Sequence, residues 1–363
     1  MNHLSSSINK SLRPLLLLLV VMQPMLAHSQ YHYGDVNHDG LINVTDVNNL
    51  ISMIMTDDGS SPDSSFFYDD SRHVLMVGNS FTNNGVEYID NICEHLALST
   101  NHSIQRICMS NATLKRYAEI IASDGYLPGG SVLGTIYGNG INISKDMTLR
   151  EIISQDWDII TFQQSSNVSD DYSTYTPYLT TLIECVLANC PNKHVKIMFN
   201  MTWGTNNTNS GGSVAPFNGY IDTLSSDSTY VPGILDAVKS MKEDYGHLLT
   251  VIPSGTAVEN LRGTSLNPHE EGFLGFTYDN QHMANGAGRY VAACILFQVF
   301  FSDLINGTLY DDKTTITNPA DLGGSSYGKV PVTDANRKII QRCAMYAYIH
   351  PWGALTIPET DDE

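Results

Sequence analysis

"HVLMVGNSFTNNG", residues 73–85, is the stretch on which the fold turns. Its first half is a continuous apolar run, the pattern of a strand buried on both faces. Its second half is a polar, glycine-flanked turn with Ser80 at the tip, where a helix begins. A serine in that place has two readings. It caps the helix, because a short hydroxyl there accepts a backbone N–H, or it is a nucleophile presented at the end of a strand.

From about residue 72 onward, apolar β-rich runs alternate with helix-like stretches. Val74–Val77, Trp157–Phe162, Val195–Phe199 and Leu248–Ile252 read as buried strands, and Gly85–Leu98, Tyr178–Ala188 and Val231–Asp244 carry helical periodicity. The alternation predicts a parallel sheet covered by helices on both faces. Ligands of such sheets bind beyond the carboxyl ends of the strands. Ser80, Gln163 with Gln164, and Asn200 to Trp203 all fall just past such an end.

The late stretch "TYDNQHMANGAGRYVAACILFQVFF", residues 277–301, holds Asp279 and His282 ahead of a helix expected from about Ala284. Three residues apart at a helix entry, a carboxylate and an imidazole can face one cleft. Taken singly, His282 reads as a structural histidine and Asp279 as a helix cap. Taken with Ser80 they supply what a hydroxyl nucleophile needs, a base to accept its proton and a carboxylate to support the imidazolium.

These blocks carry a resemblance. "VGNSFTNNG" resembles the first block of the SGNH (GDSL-type) hydrolases, and "DNQH" resembles their terminal Asp-x-x-His block. "WDIITFQQSSN" and "FNMTWG" are similar to an uncharacterised, DUF4886-like branch of that superfamily found in Bacteroidetes. The likeness spans roughly residues 72–305. It implies a three-layer α/β/α sandwich with a flavodoxin-like parallel sheet. Matched residue by residue, it implies Ser80 as nucleophile, His282 as general base and acid, and Asp279 as its orienting partner. The chain departs from the family at Asn79, where Asp is usual, and at Gln163-Gln164-Ser165, where Gly-x-Asn-Asp is usual. No glycine matches the second block in "MSNATLKRY", residues 109–117. The oxyanion donors expected are the Ser80 N–H and the Gln164 amide, with Asn111 as a further candidate. Trp203 is read as standing at a strand end, either stacking on a sugar or sitting in the core.

Residues 1–29 have the layout of a secretory signal peptide, with Lys10 and Arg13, an apolar run Leu15–Val21 and Ala27-His28-Ser29. The expectation is a secreted, periplasmic or cell-surface protein with no membrane span, since that run is too short and no later stretch reads as long enough. Residues 34–50, "GDVNHDGLINVTDVNNL", set Asp35, Asn37, Asp39, the Leu41 carbonyl, Asn43 and Asp46 at the ligand intervals of an EF-hand-type calcium loop, with Gly40 at the sharp turn. The segment 30–56 resembles a dockerin repeat, single where dockerins pair two. That implies a structural Ca²⁺ and a protein partner. Residues 57–71 read as a polar linker and 72–363 as the hydrolase domain.

Acidic residues outnumber basic ones 38 to 19, and the net charge of -19 opposes nucleic-acid or anionic-membrane partners. Six cysteines lack CxxC spacing, which leaves Cys185–Cys190 and Cys93–Cys108 open as disulfides. The histidines outside the DNQH block share no ligand spacing, so no cofactor is expected for catalysis. The function expected is a secreted serine esterase acting on O-acetyl groups of carbohydrate. A lipase or thioesterase of the same fold stays open, as does a non-catalytic glycan-binding or scaffold protein with a degenerate site. The helix-like segment 335–350 is expected to pack at the domain edge without chemistry.

Overall fold

Strand β1 (His73–Gly78) lies in the interior of a six-stranded sheet, and its alternation explains why the whole run is apolar. Val74 and Met76 enter one hydrophobic core while Leu75 and Val77 enter the other. The structure is a computed structural model that describes residues 71–206, 214–223, 228–319 and 327–360, all within the unit Asp69–Glu363. The expected signal peptide and calcium loop lie outside the described residues.

The remaining strands are β2 (Ser103–Cys108), β3 (Val132–Tyr137), β4 (Ile159–Phe162), β5 (Lys196–Asn200), the short pairs β6 (Thr205–Asn206) with β7 (Val214–Ala215) and β8 (Tyr220–Asp222) with β9 (Thr229–Val231), and β10 (Leu249–Ile252). In space the main sheet runs β10-β5-β4-β1-β2-β3. Five strands are parallel and β3 pairs antiparallel to β2 at the edge. The parallel five have the doubly wound, flavodoxin-like order, in which the direction of strand addition reverses between β1 and β4. Registers Val77↔Phe162, Phe162↔Phe199 and Gly78↔Cys108 align the carboxyl ends, so Ser80, Gln163 and Met201 leave the sheet along one edge.

Helices α1 (Ser80–Gly85), α2 (Ile89–His95), α7 (Ser254–Arg262), α8 (Ala287–Phe301) and α9 (Arg337–Ile349) cover one face, and α3 (Leu114–Ala122), α4 (Leu149–Ile153), α5 (Tyr178–Asn189) and α6 (Ile234–Tyr245) cover the other. The result is the α/β/α sandwich expected.

Several boundaries differ from expectation. Of the helix expected over Gly85–Leu98 only Ile89–His95 forms, as α2, because Gly85 ends α1 and Val86–Tyr88 separates the two. Helix α8 begins at Ala287 rather than Ala284 because Gly286 adopts φ 95°, and a β-carbon there would meet the Val330 carbonyl oxygen at 2.2 Å. Strands β2 and β3 were not signalled by periodicity: Gln105 and Arg106 interrupt one, and the other is a half-exposed edge. The segment Ala287–Leu304 is long and apolar enough to cross a membrane by composition, contrary to the sequence reading, yet 78% of it is buried inside the fold. All six cysteines are free and buried, so neither candidate disulfide forms.

Gly78 sets how closely β1, α1 and β4 approach. An added β-carbon would meet Thr82 Oγ1 at 2.1 Å and the Gln163 side chain at 2.8 Å. Gly78→Ala is expected to destabilise the fold by about 1–3 kcal/mol through this overpacking, read as a lower urea midpoint with an unchanged m-value. An unchanged midpoint would show that the approach is not constrained there.

Candidate active site

The turn after β1 is built on Asn79. Its Oδ1 accepts the Phe81 N–H at 3.1 Å, capping α1, and Ser80 becomes the first helical residue. The rest of the Asn79 amide is used as well: Nδ2 donates to the Ala112 carbonyl at 3.1 Å, and Oδ1 accepts from Gln163 Nε2 at 2.7 Å. Gln163 Oε1 in turn accepts from Thr82 Oγ1 at 2.9 Å and Asn200 Nδ2 at 3.3 Å. An aspartate at 79 has no hydrogen to offer Ala112. The departure from Gly-Asp-Ser thus has a physical reason: Asn79 and Gln163 form a neutral amide network that satisfies buried carbonyls.

The structure brings Ser80, His282 and Asp279 into one chain of contacts. Ser80 Oγ lies 2.8 Å from His282 Nε2, and His282 Nδ1 lies 2.7 Å from Asp279 Oδ2. Asp279 Oδ1 also accepts the backbone N–H groups of Gln281 at 3.0 Å and His282 at 2.7 Å. Partial burial pushes the Asp279 carboxyl up, but the bonds from the His282 ring and backbone and from Gln281 outweigh it and hold it below the usual carboxylate range.

The imidazole is held between rings. Tyr278 stacks on it at 5.7 Å with 14° between planes, and Phe81 meets it edge-on at 5.7 Å and 74°. Behind Phe81 stands Trp203, stacked at 4.4 Å and 9°, with its Nε1 donating to the Gln281 carbonyl at 2.8 Å. Trp203 is fully buried. Of its two readings the structure therefore keeps the core one and overturns the sugar platform: Trp203 is an inner support of the histidine loop. Met283 is gripped from both sides: its N–H donates to Asn84 Oδ1 at 3.0 Å, and its carbonyl accepts from Arg289 Nε at 2.9 Å.

Gln164 is corrected too. Its Nε2 donates to the carbonyl and hydroxyl of Thr174, both at 3.0 Å, and its Oε1 accepts from Leu114 and Ser165 N–H. Buried to 1% exposure, it fastens a loop and has no hydrogen left for an oxyanion. Asn111 is exposed, takes the left-handed conformation at φ 52°, and does not line the cleft that contains Ser80.

That cleft has a volume of about 330 Å³ and is lined by Ser80, His282 and Tyr278 together with Asn83, Asn84, Glu87, Arg106 and Arg289. Sequence reasoning missed Tyr278 and the latter five. Arg106 had a signal, a lone arginine in the otherwise uncharged run "SIQRIC". Arg289 and Asn84 lie on helix faces whose partners only the fold supplies. Among the described residues no cluster of three His, Cys, Asp or Glu side chains is set to hold a metal ion.

The family described as "Domain of unknown function (DUF4886)" matches residues 73–326, well over half of the chain. A DUF4886 family protein from Bacteroides uniformis superposes with a TM-score of 0.57 at 22% identity, covering 78% of this chain and 97% of that one, and shows the shared fold. A "putative acylhydrolase" from Bacteroides fragilis covers 66% of this chain and 89% of its own at 12% identity, with a TM-score of 0.37. A gut microbial diltiazem-metabolizing enzyme covers 65% and 48% at 13% identity, with a TM-score of 0.35. Neither of the last two likenesses is close enough to carry an argument. No curated protein matches.

Two outcomes follow from these contacts. Asn79→Asp, which restores the Gly-Asp-Ser triplet, removes the donor to Ala112 and is expected to cost about 1–3 kcal/mol; a urea midpoint at or above that of the parent would refute this. Because the Asp279 pKa is lowered by folding, its ionised form stabilises the fold above its unfolded value of about 4, and that contribution is lost as pH falls through the lower folded value. The Tm difference between the parent and Asp279→Asn should accordingly be widest near neutrality and close in acid. A gap independent of pH would count against it.

Proposed function

The chain belongs to the DUF4886 family, and we propose that it is a serine esterase in which Ser80, His282 and Asp279 act as the catalytic set. One observation carries the reading: the unbroken run Ser80 Oγ, His282, Asp279, with a 2.8 Å contact across 202 positions from Ser80 to His282 and a 2.7 Å contact within the Asp279-x-x-His282 loop. A capping serine needs neither partner.

In the reaction, His282 Nε2 takes the Ser80 proton as Oγ attacks the ester carbonyl carbon. The carbonyl oxygen becomes an oxyanion, for which the Ser80 N–H at the start of α1 is the donor retained from the sequence expectation. The bond to the alcohol oxygen breaks, His282 returns the proton to that oxygen, and an acyl-Ser80 ester remains. Water then gives its proton to His282 and its oxygen to the acyl carbon. Collapse releases the acid and restores the Ser80 hydroxyl. Asp279 holds the Nδ1–H tautomer and stabilises the imidazolium in both halves.

The lining of the cleft favours a short acyl group on a polar alcohol. Among the described residues the lining holds no aliphatic side chain, and Asn83, Asn84, Glu87 and two arginines favour a short acyl group over a long chain. Within this proposal the substrate is an acetylated carbohydrate met outside the cell, and the signal peptide exports the enzyme while the calcium-loop segment and a protein partner hold it near that substrate. A second reading, a glycan-binding protein with a decayed site, draws on the commitment of Gln164 to Thr174, which leaves the oxyanion without the side-chain donor expected.

Ser80→Ala is expected to lower kcat on 4-nitrophenyl acetate by at least ~10⁴-fold with an unchanged Tm, and to abolish labelling by a fluorophosphonate. An unlabelled parent protein that hydrolyses no ester would decide for the second reading. Undiminished turnover in the variant would remove Ser80 from the mechanism.

A further inference from the structure

We infer that the cleft beside Ser80 takes an ester bearing a carboxylate close to the scissile bond, and that Arg106 is the residue that recognises it. This deepens the hydrolase reading above and rests on it.

Arg106 sits on β2 opposite Met76 of β1. Strand alternation puts its side chain on the face of Ile104 and Cys108, among apolar neighbours of the α8 side. There it reaches the cleft that holds Ser80 and His282. Its Nε is buried and has no hydrogen-bond partner. Arg289, the other guanidinium of the cleft, is occupied, bonded to the Met283 carbonyl at 2.9 Å and paired with Glu87 at 3.4 Å. The lining therefore carries two guanidiniums and one carboxylate, and that carboxylate is engaged. The surplus stands out in a chain with 38 acidic and 19 basic residues. A structural arginine in such a protein would find one of the many carboxylates.

The neighbouring thiol does not serve. Burial pushes Cys108 up to about 11, more than Arg106 and Asn83 lower it, so it stays neutral. A guanidinium held against apolar side chains without an anion is costly, and the cost is recovered when a ligand carboxylate accepts from its fork of N–H groups. Asn83 Oδ1, buried in the same cleft without a partner, adds an acceptor for a ligand hydroxyl. The carboxylate comes with either part of the ester. It belongs to the acyl group, as in a half-ester of a diacid, or to the alcohol, as in an acidic sugar.

Three probes separate these sources: neutral 4-nitrophenyl acetate, mono-4-nitrophenyl succinate with the anion on the acyl side, and 3-acetoxybenzoate with it on the alcohol side. Arg106→Met is expected to lose at least tenfold more kcat/KM on one of the anionic esters than on 4-nitrophenyl acetate. Arg106→Lys should recover part of the difference, since charge is kept and the fork is lost. Equal losses on all three esters, or none, would overturn the inference while leaving the Ser80 reading intact. Binding of succinate and of 3-hydroxybenzoate to folded Ser80→Ala protein, followed by calorimetry with and without Arg106→Met, reads the anion site without turnover. Binding that depends on Arg106 supports the site even if no ester is hydrolysed, and binding indifferent to Arg106 overturns it.

Discussion

Ser80 and His282 meet because the loop that carries the histidine is tied to the helix that carries the serine. The tie is the hydrogen bond from Met283 N–H to Asn84 Oδ1, four residues along α1 from Ser80. Arg289 closes the other side of Met283, and Trp203 holds Gln281, so the backbone on both flanks of His282 is fixed by side chains from three elements. Within the loop, Asn280 takes the left-handed conformation at φ 62° and uses its amide on Gly272 and Leu274. A contact of 2.8 Å between residues 202 positions apart needs such redundancy, because one loose bond in the support would let the imidazole swing out of reach.

The positions at which the sequence differs from the SGNH pattern it resembles belong together. Asn79 and Gln163 each satisfy the other along with Ala112, Thr82 and Asn200. Buried amides in a closed network rigidify a turn as long as each hydrogen finds an acceptor. The same accounting commits Gln164 to Thr174. One strand end therefore supplies two adjacent glutamines with structural roles, and the groups that line the cleft are Ser80, His282, Tyr278 and the polar wall formed by β2, α1 and α8.

That wall carries two guanidiniums and one carboxylate, a local balance unlike that of the protein as a whole. A strongly acidic chain repels anions at long range, but screening confines that field to roughly 8–10 Å at physiological ionic strength, and at contact distance the local guanidiniums dominate. Arg289 is held by protein groups and Arg106 is not, a difference in partners rather than in residue type.

The strand pattern of residues 74–77, the helix–strand alternation and the two blocks around Ser80 and Asp279-x-x-His282 were legible in the chain, because apolar periodicity and short motifs are local properties. They determined the α/β class and named the three residues that come together. Strand β2 was illegible, since Gln105 spends its amide on the Ile141 carbonyl and Arg106 opens onto the cleft, and neither follows a period along the chain. The roles of Gln164 and Trp203 were equally hidden: whether an amide or a ring faces solvent depends on what packs over it, here Thr174 and Phe81. The sequence by itself determined which groups could do chemistry. Only tertiary structure decided which had hydrogen-bonding capacity left to do it, because that capacity is spent on partners brought in from distant parts of the chain.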